Sequence, residues 1–425
     1  MVFLFRLLRY ICRSALLAAA VVLSVLSSLW VLWSRRDALR RAEEIVLVPE
    51  GGFGHTLLAP DTARRLFPGK TLVVLIWRKP YHNPEAAHLF PDMTVIYLPF
   101  TWRFGSGRFR SDYCVGTGSR LLCSHLLAAV LKRISGGRVL PYPTLQEMLV
   151  QRCTQGPEQQ HLIAYQLAWY RLRAATVAPP ARLPAPVRAR IVAAIEHYTR
   201  RPFAPGCPTC CLYLRSKGAE LTSARRTGAG LVDHLPAISF LISRGYKVLL
   251  TGDRDQEAKV AHGLGPLFVT ADAIGIERNL FTLFAATEAA IWIGNNGGGS
   301  SMPVLNDIPM LILDMFPFGV GYPNACLHYK NVYDMQGHPV RYEHLLQHHA
   351  VDSELPDFRV CTNSAAEILE AVRSFLDELG TAVALEPSLP IQSLPGFIFE
   401  KACNCRLSKP WLERHREGNA LSRTG

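Results

Sequence analysis

"NLFTLFAATEAAIWIGNNGGGSSMPVLNDIPMLILD", residues 279–314, holds the order of elements that decides the fold. A helical pattern at 279–289 runs into an apolar strand, "AIWIG" at 290–294. The chain then turns through two asparagines, three glycines and two serines. A short helical piece follows, and then a second apolar strand, "PMLILD" at 309–314. Short apolar strands alternating with helical pieces belong to a parallel sheet. N–H groups at such a helix start, with the hydroxyls of Ser300 and Ser301, make a site for an anion such as a diphosphate. Its candidate residues are Asn295, Asn296, Gly297, Gly298, Gly299, Ser300 and Ser301. A flexible glycine loop is the plainer reading, but three glycines between two buried strands cost entropy that a simple connector does not require.

The same alternation extends in both directions. Strand-like runs appear at 45–48, 71–77 and 94–100, then again at 210–215, 246–252 and 266–270. Helical patterns lie at 119–134, 158–175 and 230–245. The helix at 364–380 carries a capping box of Ser364 and Glu367 and stops at Gly380. Between the two series, "TVAPPARLPAPVRAR" (176–190) carries Pro179, Pro180, Pro184 and Pro186 and reads as an interdomain connector. The expected layout is a tail at 1–13, an anchor at 14–34 and a Rossmann-like domain at 45–178. A proline-rich linker at 179–205, a second Rossmann-like domain at 206–380 and a C-terminal tail at 381–425 complete it. The fold class is α/β, two Rossmann-like domains facing a cleft.

The first strand leads into "EIVLVPEGGFGHTLLAP" (44–60), where glycines precede a histidine. Ligands of an open α/β sheet bind beyond the carboxyl ends of its strands, and glycines such as Gly52 and Gly54 let backbone approach them. His55 at that place would face the cleft. An imidazole of ordinary pKa, about 6.5, can take a proton from a hydroxyl nucleophile. A tight turn with His55 capping the next helix is the alternative. A dinucleotide fingerprint is excluded, because Leu57 stands where glycine or alanine is needed. "GKT" at 69–71 is no phosphate loop either, since it precedes a strand.

Past the strand at 210–215, Arg215 and Lys217 sit on the cleft side, and Arg225 and Arg226 follow in a loop. Arginine forks match phosphate oxygens, with a solvated basic loop as the alternative. Asp253 and Asp255 read as a helix cap rather than a metal site, and His344 and His348 as surface residues. Cys207, Cys210, Cys211, Cys403 and Cys405 could bind zinc, but disulfides suit an oxidising lumen better.

The 425 residues are 49% hydrophobic, enough for two cores, and carry a formal charge of +12. That balance suits anionic partners, yet no lysine-rich tail, zinc-finger spacing or RNA-binding aromatic motif points to nucleic acid. Ala15 to Trp33 is almost wholly apolar and uncharged. Roughly 20 such residues cross a hydrocarbon core about 30 Å thick, so 14–34 reads as a single-pass membrane anchor. Arg6, Arg9 and Arg13 before it nearly balance Arg35, Arg36, Arg40 and Arg41 after it. Ten of the eleven cysteines follow the span, which favours a type II protein of the Golgi or endoplasmic reticulum with a lumenal catalytic region.

These elements together resemble GT-B glycosyltransferases. "NLFTLFAATEAAIWIGNNGGGSSMPVLNDIPMLIL" is similar to the donor-side block of heptosyltransferase-like and O-fucosyltransferase-like enzymes. "PEGGFGHTLLAP" looks like the first loop of predicted bacterial glycosyltransferases with a Gly-Phe-Gly-His stretch. "YLRSKG" resembles the element that contacts donor phosphate. The resemblance spans roughly residues 45 to 380, with Asn296 where many relatives have Asp and no clear acidic residue for the donor ribose. It implies an acceptor domain followed by a nucleotide-sugar domain, and transfer to a glycan, lipid or protein hydroxyl. His55 would be the base, and Arg215, Asn296 and the N–H groups of residues 297–301 would hold the leaving diphosphate, with no cofactor and no divalent metal. A non-catalytic anchored scaffold with the same fold is the first alternative. An NADP-dependent oxidoreductase, suggested by Arg78 and Lys79, is the second.

Overall fold

The computed structural model describes residues 2–48, 53–78, 83–99, 101–104, 111–114, 127–135, 138–155, 164–203, 208–214, 228–252, 263–316, 321–349, 355–379 and 405–417. The chain divides into two compact units, Met1–Arg152 with Thr176–Pro179, and Cys153–Ala175 with Pro180–Gly425.

The first unit is built on a four-stranded sheet of β1 (Glu44–Val48), β2 (Leu72–Arg78), β3 (Thr94–Pro99) and β6 (Arg138–Pro141). Its order is β3-β2-β1-β6 and every pairing is parallel. β1 is buried along its whole length, which is why it reads as an unbroken apolar run rather than an alternating one. A hairpin of β4 (Thr101–Phe104) and β5 (Ser111–Cys114) stands apart from this sheet.

Helix α3 (Phe53–Leu66) follows β1 and is held by a buried ion cluster. Asp61, fully buried, accepts from Arg64 at 2.6 Å and from Arg65 at 3.0 Å. The two guanidinium groups also donate to the carbonyls of Pro179 and Thr176, at 2.8 and 2.7 Å. A buried carboxylate shared by two cations that also cap backbone oxygens leaves no charge unpaired. This cluster fastens 176–179 to the first unit.

The expected membrane anchor at 14–34 lies within the N-terminal helix α1 (Val2–Ser34). Among the described residues no helix is long and apolar enough to cross a membrane. α1 runs against β3, β4 and β5, and Ser24, Ser28 and Leu32 on one face are almost fully excluded from solvent. Leu32 joins a core with Leu39 of α2 (Arg36–Arg41), with strand residues Ile45, Val73 and Ile96, and with Leu127 and Leu131 of α4 (127–134).

The second unit carries seven strands in the order β15-β12-β11-β10-β7-β8-β9, all parallel. These are β7 (Thr209–Leu214), β8 (Lys247–Gly252), β9 (Phe268–Val269), β10 (Ile291–Asn295), β11 (Met310–Met315), β12 (Ala325–Tyr329) and β15 (Arg406–Leu407). One face of the sheet packs on α8 (Leu231–Ser243) and α12 (Ala365–Leu379) through Ile238, Leu241, Ile368 and Phe375. α12 begins as its capping box requires, with Ser364 N–H donating to Glu367 at 2.7 Å and Glu367 N–H donating to the Ser364 hydroxyl at 3.4 Å.

Cys210 and Cys211, neighbours on β7, alternate between the two faces of the sheet and are both buried. That corrects the expected disulfides. Cys210, Cys211 and Cys405 carry free thiols, and burial pushes the Cys211 thiol up to about 12. Cys207 and Cys403 lie outside the described residues, as do Asp253 and Asp255.

Two segments serve differently from the expected layout. α6 (Ala164–Ala175), assigned by sequence to the first domain, packs in the second unit, where Tyr170 donates to the Gly321 carbonyl at 3.1 Å and Arg173 binds Asp307 at 3.0 Å. The proline-rich stretch runs into helix α7 (Ala185–Thr199), with its prolines confined to the lead-in and first turn, where no intrahelical donor is lost. Asn306 clamps the start of this stretch, pairing with the N–H and carbonyl of Ala181 at 2.9 Å each.

Part of the expected C-terminal tail is core. β15 pairs with β12, and α13 (Lys409–Glu417) places Trp411, fully buried, against Tyr329 and Tyr342 at ring separations of 5.4 and 4.9 Å. His328, also fully buried, bonds to the Ser408 hydroxyl at 2.8 Å. Replacing Trp411→Ala removes a large buried ring and is expected to cost about 3–5 kcal/mol. Urea denaturation of the full chain, followed on the second unit's transition, measures this loss. A tail without a structural role would show none.

Candidate functional site

In an open parallel sheet the crossovers leave in opposite directions at one pair of strands, and the carboxyl ends of that pair form an open crevice. The strand orders locate the pair as β1 and β6 in the first unit and β7 and β10 in the second. Both candidate regions from the sequence lie at these pairs.

In the first unit, His55 sits in the opening turn of α3, after β1. Tyr142 begins α5 (Tyr142–Cys153) directly after β6. His55 Nδ1 lies 3.0 Å from the Tyr142 hydroxyl, and the rings meet edge to face at 5.9 Å. This bond joins the ends of β1 and β6. Tyr142 is buried and His55 half-buried, so the tyrosine is a fixed support for a more accessible imidazole. When the tyrosine oxygen accepts from Nδ1–H, the lone pair is on Nε2, the tautomer a general base needs. Gly54 shares this turn, and Gly52 lies outside the described residues.

In the second unit, β10 ends at Asn295 and the chain passes into a 3-10 turn, Gly298–Ser300, followed by α10 (Ser301–Val304). Two polar side chains of this turn, Ser300 and Asn296, are engaged within the protein. The Ser300 hydroxyl, fully buried, donates to the Asn295 carbonyl at 3.3 Å. The Asn296 amide donates to the Phe316 carbonyl and accepts from the Tyr322 hydroxyl at 2.7 Å. Asn296 thus positions neighbouring segments. The N–H groups of Gly298 and Gly299, by helical geometry, have no carbonyl of their own helix to bind, whereas Ser300 N–H donates to the Gly297 carbonyl at 3.0 Å.

Gly299, Gly294 and Gly228 have a packing cause that the sequence did not reveal. A Cβ at Gly299 would collide with the Tyr213 ring, and one at Gly294 with the Tyr213 carbonyl. Tyr213 lies near the end of β7 and stacks on Trp292 of β10 at 5.8 Å. A Cβ at Gly228 would strike the Asn295 amide. The bare backbone therefore brings β10 and its turn into contact with β7. Arg215, Lys217 and Arg225, the expected phosphate contacts, lie outside the described residues.

Sequence reasoning missed three residues here: Tyr142, Tyr213 and Asp314. Asp314, near the end of β11, has φ of 51° at an irregularity in the β11–β12 pairing. Its carboxylate accepts from Ala229 N–H and from Asn363 N–H, both at 2.7 Å. Burial pushes its pKa up to about 6, against the lowering effect of these two bonds and of Lys330. A polar residue inside the run "MLILDM" was the available signal.

Among the described residues no group of three or more His, Cys, Asp or Glu could hold a metal ion. His344 and His348 share an exposed face of α11 (Tyr342–His349), with ring centroids 4.7 Å apart.

No protein family matches the sequence, and no curated protein does. Among solved structures the chain is similar to a glycosyl transferase family 9 protein from Veillonella parvula, at 13% identity and TM-score 0.48. That match covers 79% of this chain and 98% of the other. Other similar solved structures include named glycosyltransferases. They include the ADP-heptose lipopolysaccharide heptosyltransferase II of E. coli, at 12% identity and TM-score 0.44, covering 80% of this chain and all of that one. They also include TibC of enterotoxigenic E. coli, an iron-containing dodecameric glycosyltransferase, at 15% identity and TM-score 0.38 over 80% of this chain and 78% of that one.

The raised Asp314 pKa sets a pH dependence. The folded state holds this proton more tightly than the unfolded chain does. The stabilisation is therefore complete below about pH 4 and lost as pH rises through about 6, an effect of about 3 kcal/mol. The stability difference between wild type and Asp314→Asn should shrink by that amount from pH 4 to pH 7, measured by denaturant titration.

Proposed function

We propose that this protein is a glycosyltransferase of the GT-B type that moves a hexose or related sugar from a nucleotide-sugar donor to a hydroxyl of a glycan, lipid or protein. The observation that carries the reading is the double placement at strand-order reversals. One unit presents an imidazole at the β1/β6 pair, and the other presents a close-packed glycine turn at the β7/β10 pair.

In the proposed reaction the acceptor oxygen attacks the anomeric carbon of the donor. His55 Nε2 takes the hydroxyl proton, while Tyr142 holds the ring through Nδ1. The bond from the anomeric carbon to the diphosphate oxygen breaks, and the nucleoside diphosphate leaves with the electron pair. The N–H groups of residues 297–299, together with Arg215, Lys217 and Arg225, bear the charge that develops on it. Asn296 fixes the floor of that turn through Phe316 and Tyr322. The neutralising charge comes from the protein, so the reaction is proposed to run without a divalent metal.

The test is release of nucleoside diphosphate by the full chain from UDP-, GDP- and ADP-linked sugars, including ADP-heptose. One donor should turn over, and excess EDTA should leave the rate unchanged. His55→Ala should lower kcat by about 10²–10⁴-fold. Tyr142→Phe should lower kcat by about tenfold and shift the pH–rate profile while leaving donor affinity unchanged. Donor binding without turnover, equal in wild type and His55→Ala, would instead identify a non-catalytic binding protein.

A further inference from the structure

α1 has a second face, opposite the one packed on the first unit. Val22, Leu26, Leu29, Trp30 and Trp33 recur at helical spacing and are exposed, Trp30 at 71% and Trp33 at 63%. Val130 and Ile134 of α4 extend the same surface, and the two helices enclose a shallow apolar hollow between them. Monomeric soluble proteins rarely leave such a continuous apolar surface uncovered.

The rim of this surface is cationic. Arg36 and Arg40 border the hollow, and the Arg36 guanidinium lies over the Trp33 ring at 4.8 Å. Arg35 and Arg41 are exposed beside them, and Lys132 and Arg133 are exposed on α4. Asp37, exposed and 4.0 Å from Arg36, and Glu43, also exposed, are the opposing charges on this stretch.

We infer that the α1–α4 face docks on the headgroup region of an anionic lipid bilayer, with the tryptophans at the interface and the arginines on lipid phosphates. Leucines and tryptophans beside arginines are the composition of helices that lie in the interfacial plane. Long cationic stems can rest on apolar surface while their charges reach the headgroups. Self-association is disfavoured by the same rim, because a two-fold dimer would set each arginine group against its own copy. The inference does not depend on the catalytic reading, because none of these residues belongs to the candidate site.

The test is sedimentation of the full chain with vesicles of phosphatidylcholine alone or with about one third phosphatidylglycerol. Wild type should pellet with the anionic vesicles, more weakly as salt rises, and its tryptophan emission should shift to the blue. Leu26→Glu with Trp30→Glu should abolish pelleting. Both positions are exposed, so the melting temperature should not change. Arg36→Gln with Arg40→Gln should weaken binding to anionic vesicles by about thirtyfold and leave the neutral vesicles unaffected. Failure of wild type to pellet, or equal pelleting of the glutamate variant, overturns the inference. A concentration-dependent dimer that the glutamate variant dissolves would assign the face to a second copy and overturn it as well.

Discussion

Only glycine fits where β10 and its following turn lie against β7. The Tyr213 ring and carbonyl occupy the volume that Cβ atoms at residues 299 and 294 would need, and the Asn295 amide fills that volume at 228. β7 and β10 are the two strands at which the sheet reverses its order, so this contact sets the floor of the crevice where such sheets bind ligands. Glycine at these places serves architecture first.

In the first unit the corresponding place is bridged by a side-chain bond. His55 and Tyr142 come from the ends of β1 and β6 and fix each other across the reversal. Behind them, Asp61 collects Arg64 and Arg65 and ties α3 to the returning segment at 176–179. A buried network of this kind, with every charge paired, orients the helix that carries the imidazole.

The buried parallel strands were legible because both of their faces are covered, which leaves long apolar runs at 45–48, 71–77 and 291–294. Strands β6, β12 and β15 were not. β6 is four residues ending in proline, β12 contains Cys326 and His328, and β15 has two residues. His328 is tolerated inside only because Ser408, far along the chain, supplies its partner. His55 could be picked out because it follows a glycine cluster. Tyr142, 87 residues away, becomes visible only when β6 is laid beside β1. The packing of α1 was hidden for a related reason. An apolar helix reads the same whether lipid or protein covers it, and the small buried serines at 24 and 28 were the local trace of protein contact.

The path of the chain between its units bears on how the molecule can be dissected. It passes from the first unit to the second after Arg152, returns at Thr176 and leaves again after Pro179. A cut in the proline-rich stretch, which the sequence invites, would separate α6 from Gly321 and Asp307. Trp169 and Leu167, now sealed from water, would then lie open on the wrong fragment. Fragments divided there should be sticky and poorly soluble for reasons unrelated to catalysis, and a clean separation would need a transplanted, rejoined connection rather than a single cleavage.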